Sequence, residues 1–233
     1  MKTVIVIPTY NEQENIGRLL NRIFSLGIAD LEVIVVDDSS PDGTANLVRQ
    51  SSPQEKIHLL ERSTKSGLGS AYIAGFKKAL EIGADYIFEM DADLSHDPDD
   101  IPRLLSAASN ADLAIGSRRI SGGQIIGWGW NRKMMSRGAM WLSRLALGLK
   151  TQDVTSGFRC YRRSVLSSLN LEAIKSNGYA FQEELLFLIE KGGYNVKEVP
   201  VTFVDRRVGQ SKLSPQDILE FFFIIYKLKK YGH

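Results

Sequence analysis

The chain has 233 residues, is 43% hydrophobic and 24% charged, and carries a net charge of +2; it is long enough to bury one domain core, and it lacks the overall basicity that nucleic-acid binding leaves. Its one cysteine, Cys160, excludes an internal disulfide, fits a reducing cytosolic setting and reads as a small buried hydrophobe. The longest apolar stretch, Phe221–Tyr226 with Ile218 and Leu219 upstream, falls short of the roughly 20 residues that span a bilayer, so no transmembrane helix is predicted.

Val4–Ile7 is too short an apolar run for a signal peptide and reads as a first strand. Ile16, Leu19, Leu20 and Ile23 follow at helical spacing, closed by Gly27. Leu31–Val36 is nearly continuous in apolar residues, as in a strand buried on both faces. The turn Ser39-Ser40-Pro41-Asp42-Gly43 leads to a short helix over Thr44–Gln50, and the strand-like run Ile57–Leu60 precedes a helix over Leu68–Ile82. Gly67-Leu68-Gly69 reads as the start of that helix, because Tyr72 stands where a dinucleotide fingerprint has its third glycine. Tyr86–Met90 and Asp112–Gly116 are further strands. This alternation predicts an α/β fold with a mostly parallel sheet. From Ser121 a glycine-rich loop is expected, then a helix over Asn131–Leu147 with Lys133, Arg137 and Arg144 on one arc beside Met134, Trp141, Leu142 and Leu145. Ser214 to Asp217, with Pro215 in the first turn, opens a C-terminal amphipathic helix. One domain over 1–213 and a helical tail over 214–233 are therefore expected.

Ligands of such sheets sit beyond the carboxyl ends of the strands, where Asp37-Asp38 and Asp91-Ala92-Asp93 both fall. Two carboxylates at i and i+2 can converge on one hard divalent cation that substrate phosphates complete, and such a metal neutralises a leaving diphosphate. The same pair alone also suits a solvated turn. Asp38 suits a hydrogen bond to a base or ribose, or turn capping with Ser39, Ser40 and Asp42. Tyr10 offers a flat face to a base, while Thr9 or Asn11 suits the N-cap of the first helix. His58, His96 and His233 have no metal-ligand spacing, and His96 is expected to make a turn hydrogen bond.

Val6-Ile7-Pro8-Thr9-Tyr10-Asn11-Glu12, Val35-Val36-Asp37-Asp38-Ser39-Ser40-Pro41-Asp42-Gly43-Thr44 and Asp91-Ala92-Asp93 resemble the family 2 glycosyltransferases with their Rossmann-like GT-A nucleotide-sugar fold. Lys65-Ser66-Gly67-Leu68-Gly69, Asp91 through His96, Gly116-Ser117-Arg118, Thr155-Ser156-Gly157-Phe158-Arg159 and Val204-Asp205-Arg206 through Ser211-Lys212 resemble the dolichol-phosphate mannose synthases within them. The resemblance implies inverting transfer of a hexose, with mannose from GDP-mannose first, to a polyprenyl phosphate. Glucose transfer from UDP-glucose and hydroxyl-directed transfer are the alternatives. It implies that Pro8, Tyr10, Glu12, Val36 and Asp38 line the nucleoside pocket, and that Asp91, Ala92 and Asp93 meet the diphosphate with Mg²⁺ or Mn²⁺ on Asp91 and Asp93. Arg118, Arg206 and Lys212 would contact phosphates, Arg118, Arg132 and Ser136 would hold the acceptor phosphate, and Asp93 and Arg118 would carry catalysis. Some relatives place a metal-ligating Gln near the position of Ser95.

The charge pattern agrees with two anionic substrates, which only fixed cations and a metal bring together. A phosphate monoester is already largely ionised at neutral pH, its second pKa being about 6, so no general base is required. Glu183 and Glu184 stand where hydroxyl-directed relatives place one, and a structural role is expected for them. A polyprenyl acceptor implies peripheral contact with the cytosolic membrane face, or a membrane-anchoring partner protein. Trp128, Trp130, Met134 and Trp141 suit an interfacial element or packing on the sheet; the tail suits membrane, partner or body. A dinucleotide oxidoreductase is disfavoured because no glycine fingerprint follows the first strand. A silent nucleotide-sugar-binding subunit is disfavoured by the intact Asp91, Asp93, Arg118, Arg206 and Lys212.

Overall fold

The computed structural model describes residues 1–174, 176, 178–205 and 223–230. In chain order the elements are β1 (Thr3–Thr9), α1 (Gln13–Ser25), β2 (Leu31–Asp37), α2 (Thr44–Gln50), β3 (Ile57–Glu61), α3 (Leu68–Glu81), β4 (Tyr86–Glu89), α4 (Ile101–Ala108), β5 (Leu113–Ser117), β6 (Gln124–Ile126) and α5 (Trp130–Leu147). They continue with β7 (Arg159–Arg162), α6 (Arg163–Ser168), α7 (Gly178–Lys191), β8 (Val196–Pro200) and β9 (Thr202–Val204). Residues 223–230 are helical.

Seven strands form one sheet in the order β3-β2-β1-β4-β7-β5-β8. The strands β3, β2, β1 and β4 run parallel, as do β5 and β8. β7 is inserted antiparallel between β4 and β5, a strand the apolar periodicity does not mark. Its sequence, Arg-Cys-Tyr-Arg, has a cation at each end. The expected loop after Ser121 also contains β6, which pairs with β9 in a small second sheet.

Side chains alternate across the central strands as β geometry requires. Val4, Val6, Ile34 and Val36 face one core with α3, α6 and α7, and Ile224 and Leu228 of the C-terminal helix join it. Ile5, Ile7, Val33 and Val35 face the other, with α1, α2 and α4. The C-terminal helix thus buries Ile224, Ile225 and Leu228 while Phe223 and Tyr226 stay exposed. Docking on the body takes up its inner face; Ser214–Asp217 and Ile218 lie outside the described residues. α3 approaches the sheet through Gly75, where an added Cβ would lie 2.2 Å from Val6 Cγ1. That closeness brings the start of α3 to the strand ends that form the site.

Candidate active site

Three non-glycine residues, Asn11, Ser39 and Leu94, adopt φ of 60°. They lie in the loops beyond β1, β2 and β4. Such left-handed backbone is uncommon outside glycine and gathers where surrounding structure over-determines a site. After β2, the buried Asp37 accepts bonds from Thr9 Oγ1 at 2.8 Å, Ser40 N–H at 2.9 Å and Ser40 Oγ at 2.6 Å. Asp42 accepts from the Thr44 and Gln13 N–H groups, each at 3.0 Å. Turn capping therefore falls to Asp37 and Asp42. Asp38 instead pairs with Arg62 and accepts the Ser66 N–H at 3.3 Å. The preceding residue, Lys65, sets its ammonium 3.7 Å from the centre of the Tyr10 ring. Tyr10 and Asp38 thus stand on either side of one segment, Lys65-Ser66.

Neither Thr9 nor Asn11 caps α1. Glu12 holds the cap position without a side-chain cap bond, and its N–H is bonded to Thr44 Oγ1 at 3.0 Å. Pro8 and Val36 are opposite in register. The Val36 side chain is wholly buried against α3, and Ala92 is buried as well, so both can reach a ligand only through the main chain.

Asp91 and Asp93 open into a cleft of about 430 Å³, counted to its open mouth, whose other walls include Arg118, Trp128, Arg132, Phe203 and Asp205. The Tyr72 hydroxyl, on a fully buried ring stacked on Phe181 at 5.9 Å, donates to Asp91 Oδ1 at 3.0 Å. The Asp91 N–H is 3.4 Å from His96 Nδ1, which assigns the ring proton to Nε2. Burial pushes the His96 imidazole below its usual range, against the pull of Asp91 and Asp93. His96 therefore makes the expected turn bond and stacks on Phe158 at 5.1 Å. Asp93 Oδ1 accepts the Ser95 N–H at 3.0 Å, while Ser95 Oγ is buried with no bond partner. Beneath the pair, burial raises the Glu89 carboxyl to about 7, offset in part by Arg159 and the Tyr161 hydroxyl.

The cationic wall is built by distant partners. Arg118 forks onto the fully buried Asp153, with Nε–Oδ2 at 2.7 Å and Nη2–Oδ1 at 2.6 Å. Burial alone would raise the Asp153 carboxyl, and Arg118 holds it below its usual range. Arg132 pairs with Asp205 at 2.8 Å and lies 4.1 Å from the centre of the Trp128 ring. Ser136, one turn along α5 from Arg132, accepts a 2.6 Å bond from Arg119 Nη2. The resemblance carried only Arg118 of this arginine doublet; the local signal for Arg119 was the doublet itself. Arg206 and Lys212 lie outside the described residues.

The Thr155–Arg159 motif shapes the cleft from behind. Arg159 Nε and Nη2 each donate at 2.8 Å, to the Ser156 and Val154 carbonyls. Ser156 Oγ donates to the Gly116 carbonyl at 2.6 Å. Glu184 accepts bonds from the Ser176 N–H and hydroxyl, and burial raises the Glu183 carboxyl to about 7. On α5 only Met140 and Ser143 are buried. Trp130, Met134, Met135, Trp141 and Leu145 are exposed; Trp128 alone of the tryptophans packs into the cleft wall. No described helix is long and apolar enough to cross a membrane.

The glycosyl transferase family 2 model matches residues 4–169. The undecaprenyl-phosphate mannosyltransferase of Micrococcus luteus is 46% identical over 215 residues, covering 92% of this chain and 88% of that protein. The polyprenol monophosphomannose synthase of Mycolicibacterium smegmatis is 43% identical over 225 residues, covering 95% and 84%. Among solved structures, glucosyl-3-phosphoglycerate synthase from Mycobacterium tuberculosis, in complex with Mn²⁺, UDP and glucosyl-3-phosphoglycerate, superposes with a TM-score of 0.68 at 21% identity over 99% of this chain and 80% of its own, a likeness of fold. The expected GT-A architecture and the matches along most of the sequence agree: this chain belongs to glycosyl transferase family 2.

Proposed function

We propose that the chain transfers mannose from GDP-mannose, with inversion, to the phosphate of a polyprenyl lipid, releasing GDP. The observation that carries this is one cleft lined by Asp91 and Asp93 together with Arg118 and Arg132. The carboxylates suit a metal-bound leaving diphosphate, and the arginines a second anion. The names of the two mannosyltransferase relatives supply the sugar and the lipid. Tyr10, Asp38, Pro8, Glu12 and the Val36 main chain would receive the nucleoside. Arg118, Arg206 and Lys212 would steady donor phosphates, and Arg118, Arg132 and Ser136 the acceptor.

Mg²⁺ or Mn²⁺ fits this donor set. No group of three or more acidic, histidine or cysteine side chains among the described residues would cage a metal. Two carboxylates and the orphaned Ser95 Oγ suit a hard cation that keeps water and phosphate oxygens. Such an ion would neutralise charge on the departing diphosphate. Tyr72 holds Asp91 Oδ1, so it fixes the direction of the carboxylate. Tyr72→Phe is expected to weaken Mn²⁺ binding about tenfold with an unchanged thermal midpoint. Titration of the Mn²⁺ signal by electron paramagnetic resonance, with GDP present, checks this; equal affinity would remove Tyr72 from the site.

An ionised acceptor needs no base, and Glu184 is occupied by the Ser176 N–H and hydroxyl. Glu184→Gln is expected to retain activity within about tenfold of the parent. A folded, nucleotide-binding Glu184→Gln protein without activity would overturn the base-free chemistry.

The exposed apolar residues of α5 beside Lys133, Arg137 and Arg144 suit peripheral contact with the cytosolic membrane face, where the acceptor lies. A labelled donor panel tests the central reading: GDP-mannose against UDP-glucose, with polyprenyl phosphate and Mg²⁺ or Mn²⁺. Lipid-extractable product is expected from GDP-mannose; none from any donor would sink it.

A further inference from the structure

Two of the arginines expected to meet phosphate already carry carboxylate partners. Arg118 is bonded to Asp153 and Arg132 to Asp205. Arg119 differs. Its Nη2 donates to a neutral partner, Ser136 Oγ, and its Nε is buried without any bond. Among the described residues no carboxylate forms an ion pair with it. Burial presses the Arg119 guanidinium below its usual range; Asp153 opposes this, and the lesser charges of Arg118 and Arg137 add to it. A half-buried cation without a bonded carboxylate is costly unless an anion returns its charge.

Ser136 sharpens the position. Because its oxygen accepts from Arg119, its own O–H remains able to donate. Arg132 and Ser136 are four residues apart on α5, on one side of the helix. Arg119 thus stands across from a helix face that already presents a guanidinium and a hydroxyl. The matching ligand is compact, doubly charged and rich in acceptor oxygens, as a phosphate monoester is.

We propose that Arg119, together with Ser136, binds the phosphate of the acceptor. The inference rests on the proposed transfer to a polyprenyl phosphate and adds to it a residue that discriminates a phosphate acceptor from a neutral one.

The test uses the full chain with farnesyl phosphate as a water-soluble acceptor. Its binding is measured by calorimetry without donor, and its KM with GDP-mannose and Mn²⁺. Arg119→Gln is expected to weaken binding and raise this KM by about tenfold or more, the loss of a charged hydrogen bond, with the KM for GDP-mannose unchanged. An unchanged affinity and KM for farnesyl phosphate would overturn the inference. So would an equal loss of binding to phosphatidylglycerol vesicles lacking polyprenyl phosphate, since Arg119 would then read surface charge. Where Arg119→Gln melts well below wild type, Arg119→Lys replaces it; its KM is expected to rise at least about threefold, and an unchanged value counts against the proposal. If the wild type neither binds nor glycosylates farnesyl phosphate, the acceptor reading falls, and this inference with it. If the wild type does both and the variant equals it, only the role of Arg119 falls.

Discussion

Asp93→Ala is expected to lower mannosyl transfer by roughly a thousandfold, on the scale seen when one group aimed at developing charge is removed. The fold should survive, because the substitution removes the acceptor of the Ser95 N–H on a half-buried turn. One such bond is worth about 1 kcal/mol. The loss is instead chemical: Asp91 would remain as one carboxylate, and two charges are needed against a divalent ion and a diphosphate. Initial rates with saturating GDP-mannose, alongside Mn²⁺ titration, distinguish the outcomes. Retention of a tenth of wild-type activity with a normal metal requirement would remove Asp93 from the leaving-group side. The contrast with Glu184→Gln matters, because it separates a residue aimed at departing charge from one that merely sits nearby.

The largest effect on stability is expected at Asp153. Arg118 and Asp153 have side-chain exposures of 6% and 0%. Asp153 also accepts the Arg118 N–H at 2.8 Å. Asp153→Ala strands a buried guanidinium and should destabilise the fold by about 3–5 kcal/mol, read from urea denaturation. Replacing both residues by apolar ones, Arg118→Met with Asp153→Leu, should recover much of that stability and leave transfer impaired. A loss below about 1 kcal/mol in Asp153→Ala would mean that the pair does not hold the wall. The pH dependence follows from the sign of the shift. Arg118 holds the folded Asp153 carboxyl below its unfolded value, so the pair contributes fully above about pH 4. Its contribution disappears as pH falls through the folded value. The gap between wild type and Asp153→Ala should therefore narrow in acid and not in base.

Much of the scaffold was legible because its signals are local. The runs Val4–Ile7 and Leu31–Val36 announce strands, and Ile16, Leu19, Leu20 and Ile23 announce the inward face of α1. From alternation alone, the placement of Asp38, Asp91 and Asp93 beyond strand ends follows. The antiparallel β7 was not legible. Its Arg159 is wholly buried in a strand, bonded to the carbonyls of Ser156 and Val154, where residue type alone predicts exposure. Nor was β6, three residues long and paired with β9 far along the chain. The sequence of α5 suits membrane contact and packing on the sheet equally, because the choice depends on what lies opposite its apolar face.

By itself, the sequence determined the order of strands and helices from β1 to β4 and the strand-end positions of the acidic residues. It did so because periodicity and turn chemistry act over a few neighbouring residues. Only the tertiary structure decided which charges neutralise each other. Asp38 meets Arg62 across 24 residues, Arg118 meets Asp153 across 35, and Arg132 meets Asp205 across 73. Such pairings depend on which strand ends and loops converge, and no local pattern encodes them. That convergence also leaves Arg119 beside Ser136 rather than beside an acid.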